Sequence, residues 1–119
     1  PYKPEDYRRF RETCGKILRT SPEVMTLAEQ GQFVSDSSEM HCLVRCSGIV
    51  SNFYDDESGT NWDLVAQQMQ GKQGFEEHRQ ATTECISALT EADYGNDVCK
   101  KSYMYFRCAM KSHKKHIKT

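Results

Sequence analysis

Apolar residues recur along the chain at steps of three and four, the spacing of one face of an α-helix. Tyr7, Phe10, Cys14, Ile17 and Leu18 form the first stripe. Pro4, Glu5 and Asp6 stand before it and suit a first helical turn at the positive end of the helix dipole. Ser21-Pro22-Glu23 reads as an N-cap, a proline at the first helical position and an acid behind it, and opens a short second helix. Val24, Leu27 and Ala28 follow, and Gly31 closes it. Asp36 and Glu39 predict a capping box for a third helix with the stripe Met40, Leu43, Cys46, Val50 and Phe53, ending in the acidic turn Asp55-Asp56-Glu57-Ser58-Gly59. Thr60 or Asn61 caps a short fourth helix carrying Trp62, Leu64, Val65 and Met69. Gly71-Lys72-Gln73-Gly74 breaks the chain, and a fifth helix runs from about Phe75 to Leu89 with Ala81, Thr82, Cys85, Ile86 and Leu89 on or near one face. Asn96 or Asp97 starts a sixth, which runs through Met110 or beyond. No segment alternates apolar and polar residues convincingly, so the pattern predicts an all-α fold of six helices.

Composition narrows this picture. A chain of 119 residues is the length of one domain, 1–119. The longest run without Asp, Glu, Lys or Arg is the nine residues from Cys46 to Tyr54, so no segment inserts stably into a bilayer. With a net charge of -1 the chain is not broadly basic, which argues against a nucleic-acid partner. Hydrophobic residues make up only 37%, modest for a helical domain, and six cysteines accompany them. An even number of cysteines in a small chain reads as three disulfides formed in an oxidising compartment, hence a secreted, extracellular protein. Opening at Pro1 with no apolar leader, the sequence is expected to be a mature form with its signal peptide removed. Zinc needs ligands clustered in pairs. Only Cys42 and Cys46, with His41 adjacent, come near that spacing, so neither a metal nor a cofactor is expected.

The helical frame constrains the cysteines. At 100° per residue, Cys99 and Cys108 point to opposite sides of the last helix, so each ties it to a different neighbour. Cys42 and Cys46 share a face one turn apart and are better placed to reach two other elements than each other. The last helix carries Tyr103, Phe106 and Met110 on the Cys99 side and Met104 on the Cys108 side, so it is apolar on two faces and expected at the centre. Three disulfides at roughly 2–4 kcal/mol each compensate for a thin or hollow core.

The intervals between the cysteines are 27, 3, 38, 13 and 8 residues, spanning Cys14 to Cys108. This pattern resembles that of the insect odorant-binding proteins, the group that includes the pheromone-binding proteins; the three- and eight-residue gaps are that family's most rigid elements. Of the fifteen pairings that six cysteines allow, the resemblance implies Cys14–Cys46, Cys42–Cys99 and Cys85–Cys108. It further implies a compact six-helix shell around an apolar cavity that carries small hydrophobic odorants or pheromones through aqueous lymph. A receptor is then a further partner, and the protein a monomer or weak homodimer. By position, the family's ligand-facing segments map onto Ile49, Val50 and Phe53, onto Leu64, Val65 and Met69, onto His78, Ala81 and Thr82, and onto Tyr103, Phe106, Ala109 and Met110. Tyr103, Thr82 and His78 are the expected polar contacts. Tyr7, Phe10, Leu18 and Trp62 are expected mainly as packing.

In many relatives the segment after the sixth cysteine folds over or into the cavity. Here only Met110 and Ile117 in that segment are apolar, so the basic tail 111–119 is expected to be solvated or to lie across the entrance. Residues 98–119 hold seven basic side chains and no acid, whereas residues 1–97 hold nine basic and seventeen acidic. The near-neutral total is thus a cancellation of +7 against -8. The simplest reading is that lysines favour a helix C-terminus, with an anionic-membrane or receptor contact as the sharper alternative. An enzyme is not expected. His41-Cys42 is similar to the His-Cys neighbourhood of small secreted phospholipases, but no glycine-rich calcium loop accompanies it. The run Asp55-Asp56-Glu57 lacks EF-hand spacing. The alternative of the same class is a salivary or haemolymph scavenger of amines or lipid mediators. An amine needs a buried carboxylate, for which Glu84 and Asp63 are the candidates.

Overall fold

The computed structural model describes residues 1–33 and 36–119. Local chemistry fixes where its helices begin. Pro4 opens α1 (Pro4–Leu18), where the Asp6 carboxylate accepts the Lys3 N–H at 2.8 Å. Ser21 caps α2 (Pro22–Glu29) by accepting the Val24 N–H. The cap of α3 (Ser38–Val50) is Ser37, whose hydroxyl accepts the Met40 N–H at 3.1 Å. The expected Asp36/Glu39 box is therefore one residue out of register. Glu39 instead accepts the Ser21 N–H at 2.6 Å and ties the start of α2 to α3.

The expected acidic turn is a small antiparallel hairpin of β1 (Tyr54–Asp55) and β2 (Gly59–Thr60), with Tyr54 opposite Thr60. Asp55 Oδ1 accepts the N–H groups of Glu57 and Ser58, and Gly59 supplies the left-handed conformation the turn needs (φ +78°). Asn52, at φ +69°, ends the α3 segment, so Phe53 stands beyond the helix that its spacing assigned it to. Two residues per strand are too few for alternation to show in a sequence.

Asn61 caps α4 (Trp62–Gln68) by accepting the Leu64 N–H at 3.2 Å. α5 (Phe75–Ser87) ends two residues before Leu89. A single turn, α6 (Glu91–Tyr94), follows, with the Thr90 N–H donating to Asp93 Oδ2 at 2.7 Å. Four residues carry no periodicity, which is why the described residues form seven helices where six are expected. Asp97 caps α7 (Val98–His116), accepting the Lys100 N–H at 2.9 Å. The fold is all-α apart from the hairpin.

The disulfides are Cys14–Cys46, Cys42–Cys99 and Cys85–Cys108. They join α1 to α3, α3 to α7 and α5 to α7. α7 packs against both α3 and α5, and α1 packs against α3. The solid core is small and sits toward α1, α2, α3 and α7, where Cys14, Val24, Ala28, Met40, Leu43, Val44 and Tyr103 are buried together. The basic tail is not free. α7 continues to His116, Ser112 is buried, and Lys118 pairs with Gln73 through two backbone hydrogen bonds of 2.8 and 3.0 Å. Gly74, at φ +92°, lies under this strap: a Cβ there would come within 2.0 Å of the His116 carbonyl oxygen. Among the described residues no helix is long and apolar enough to cross a membrane.

Candidate ligand-binding cavity

Beside the small core the helices and the hairpin line a partly open cavity of about 560 Å³, within the range of small-molecule sites. Of the helices, α1, α3, α4, α5 and α7 contribute the arc of residues that their 3.6-residue period turns inward. On α3 that arc is Leu43, Val44, Ser47, Gly48 and the following Ser51. Ile49 lies nearly opposite it on the helix and Val50 at its far edge, and they are 41% and 46% exposed. Neither reaches the wall. On α4 the inward arc is Trp62, Val65, Gln68 and Met69, which leaves Leu64 on another face.

On α7, Ser102, Tyr105, Phe106, Ala109, Met110 and His113 share the inward side, with Lys114 next to them. Tyr103 is turned toward α3 instead: its hydroxyl donates to the Phe33 carbonyl and its ring lies 4.3 Å from that of His41. α5 contributes His78 alone. Thr82 is fully buried behind His78, and Ala81 is half-buried away from the wall. Of the thirteen mapped positions, the cavity brings together Phe53, Val65, Met69, His78, Phe106, Ala109 and Met110. It leaves out Ile49, Val50, Leu64, Ala81, Thr82 and Tyr103.

The wall is completed by Phe33 beyond α2, by Phe53 and the hairpin residues Tyr54 and Thr60, and by Tyr7, Phe10 and Arg11 on α1. Spacing placed Tyr7, Phe10 and Trp62 on inward stripes, the signal that would have found them; it does not tell packing from lining. Phe53 stacks on Tyr7, and Tyr2 meets Tyr7, Phe10 and Phe53 edge-on at 5.0–5.9 Å. Tyr2 is held there at both ends. Its backbone N–H and C=O bond the two atoms of the Gln68 amide, and its hydroxyl donates to the Ser51 carbonyl.

His78 is the buried polar hub on the α5 side. Its Nδ1 lies 2.8 Å from Ser112 Oγ, which also donates to the His78 carbonyl at 2.9 Å, and Thr82 Oγ1 is 3.4 Å from the same nitrogen. Ser112 has one hydroxyl proton, so when the carbonyl receives it Nδ1 is the ring atom that carries a proton and donates back. Trp62 and His113 meet the ring edge-on at 5.9 and 5.7 Å. Burial, followed by the charges of His113 and His116, holds His78 below the ordinary imidazole value. Burial and Lys72 act the same way on His113. Among the described residues the ionisable side chains of the wall are cationic, imidazole or phenolic, and none is a carboxylate. Glu84 and Asp63 are exposed.

The sequence model of the PBP/GOBP family matches residues 2–112, most of the chain. The chain belongs to the PBP/GOBP family. Among solved structures this PBP/GOBP member is similar to odorant-binding protein 22a of Anopheles gambiae. One structure of that protein superposes with a TM-score of 0.75 at 22% identity, covering 91% of this chain and 90% of that one. A second, solved with the bound odorant cyclohexanone, gives 0.74 at 23% identity over 89% and 90%. At such identities the likeness speaks to the fold. No curated protein matches the sequence.

Proposed function

We propose that the protein is a secreted, non-enzymatic carrier that takes small hydrophobic molecules into its cavity, solubilises them and delivers them through an aqueous fluid to a receptor, with odorants or pheromones as cargo. The observation that carries this reading is the cavity: about 560 Å³, walled by aromatic, aliphatic and methionine side chains inside a cage of three disulfides. Cross-links allow a domain to keep a hollow that close packing would otherwise fill. A ligand burying roughly 250 Å² of apolar surface gains about 6 kcal/mol before the costs of association. Met69 and Met110 adapt to varied shapes. Family membership supports the reading, as does the cyclohexanone bound by the mosquito protein of the same fold.

Neutral cargo is favoured over an amine, because the wall offers no carboxylate among the described residues and both Glu84 and Asp63 face solvent. Cys42, the residue beside His41, is held in a disulfide and has no thiolate to offer as a nucleophile. The test is uptake of the apolar fluorescent dye N-phenyl-1-naphthylamine, followed by its displacement with a panel of volatile ketones, esters, alcohols and fatty compounds. Blue-shifted emission and micromolar displacement are the expected result. A dye that stays in water, with no compound in the panel bound, overturns the proposal. Native mass spectrometry of protein taken from its source would then name the cargo.

A further inference from the structure

Of the residues that line the cavity, only His113 and Lys114 are exposed; the others are buried or half-buried. These two neighbours on α7 therefore mark its mouth. His113 keeps one side of its ring against the buried His78, 5.7 Å away, and Lys114 follows it at the end of the wall. Beside them runs the loop after α4. There the Gln73–Lys118 bridge holds Lys72 near enough for its charge to act on His113.

The wall's two permanent charges are both positive, Arg11 on α1 and Lys114 on α7. Neither enters an ion pair among the described residues, and neither has an acid three or four positions away along the chain. The acids of the neighbouring elements, Asp63, Glu76 and Glu77, are exposed and stand outside the wall. Burial lowers the pKa of His78 and of His113, and every charge that then acts on either ring is a cation: His113 and His116 on the first, Lys72 on the second. The C-terminus of α7 brings about half a negative charge to the same end. Lys111, Lys114 and Lys115 in its last two turns outweigh it.

We propose that the cargo is an anionic amphiphile, a medium-chain carboxylate whose alkyl tail fills the apolar interior and whose head stays at the mouth beside Lys114. The inference rests on the carrier reading and narrows its cargo. A wall that disfavours an amine for want of a carboxylate favours the opposite charge for the same reason. Carried into the interior, a carboxylate would lose its hydration. At the mouth it keeps water on one side, because a lysine stem lies along apolar surface while its ammonium remains solvated. A cleft lined by one sign of charge also gathers the opposite sign from solution. Arg11, half-buried, adds to that field from α1.

The experiment measures displacement of N-phenyl-1-naphthylamine by decanoate, 1-decanol and decylamine, below the concentrations at which they form micelles. It compares the wild-type protein with Lys114→Gln, Arg11→Gln and Lys115→Gln. The wild type is expected to bind decanoate at least as tightly as the alcohol, and the amine weakest. Raising the salt to about 0.5 M should draw the acid and amine affinities together. Lys114→Gln should lower the decanoate-to-decanol affinity ratio about threefold, the effect of one partly screened ion pair. Arg11→Gln should lower it by a smaller step. Lys115→Gln removes the same charge outside the wall and should keep the ratio. Decanoate bound more weakly than the alcohol or the amine, a ratio unchanged in Lys114→Gln, or an equal fall in Lys115→Gln overturns the assignment while leaving the carrier reading in place. A wild-type protein that takes up neither the dye nor any of the three overturns both.

Discussion

Tyr103 and Tyr54 are both buried, yet only the partner of each hydroxyl distinguishes their roles. Tyr103 donates to Phe33 and so stitches the segment after α2 to α7, whereas Tyr54 has no partner among the described residues. No spacing rule reveals such a difference, because it depends on which backbone carbonyl a fold brings within reach. His78 is the residue whose chemistry is most changed by its surroundings. Its pKa is lowered by burial, then by His113 and His116, so the unfolded chain binds a proton that the folded chain resists. The resulting stabilisation is complete above the unfolded value of about 6.5 and is lost as pH falls through the folded value. His113, lowered by burial and Lys72, acts in the same direction. The thermal midpoint should therefore drop between pH 7 and pH 5. His78→Asn should start lower and show a shallower drop; equal slopes in the two proteins would remove His78 as the cause.

At the scale of elements, the helices were legible wherever an apolar stripe ran for two turns or more. Prolines at 4 and 22 and the Asp97 cap mark their starts directly. What escaped were short pieces. The hairpin of β1 and β2 and the single turn α6 contain too few residues to show a period. Mapping by segment also selected Ile49 and Leu64, whereas the helical arc excludes them from the wall and selects Ser47 and Gln68. α4, the least anchored panel, depends on Asn61. That side chain caps the helix at Leu64 and also donates to the Asn52 carbonyl at 3.0 Å, fastening α4 to the end of the α3 segment. Asn61→Ala should cost about 1–2 kcal/mol. The loss should appear as faster amide exchange confined largely to residues 61–69, and uniform acceleration across the chain would contradict it.

For the whole molecule, the cysteine intervals conveyed the architecture through resemblance, and the disulfides join α1, α3, α5 and α7 as that resemblance implies. The hollow itself could not be read from composition, since an inward-facing residue looks the same whether it meets a neighbour or empty space. Low apolar content and six cysteines take on meaning together: the cross-links hold a frame whose solid core is confined to one side. Cys42–Cys99 closes the longest loop, with a separation of 57 residues. Replacing both cysteines with alanine should cost about 4 kcal/mol by loop entropy. Urea denaturation would show this as an earlier midpoint, and an unchanged midpoint would mean that packing alone maintains the frame.

In the proposed carrier the attachments of α4 should set the tempo at which cargo comes and goes. This helix carries no cysteine, and its Trp62 is the side chain that packs it on α5, against Phe75, His78 and Arg79. Yet it supplies Trp62, Val65, Gln68 and Met69 to the wall. It is clipped at one end by Tyr2, through the Gln68 amide, and the loop beyond it is clipped by the Gln73–Lys118 bridge. None of these attachments is covalent, so the panel can loosen with every disulfide intact. Affinity and residence time should thereby depend on different parts of the molecule. In the proposed carrier the cross-linked helices should fix how much apolar surface is buried, and the clips at α4 should govern how long a captured molecule stays.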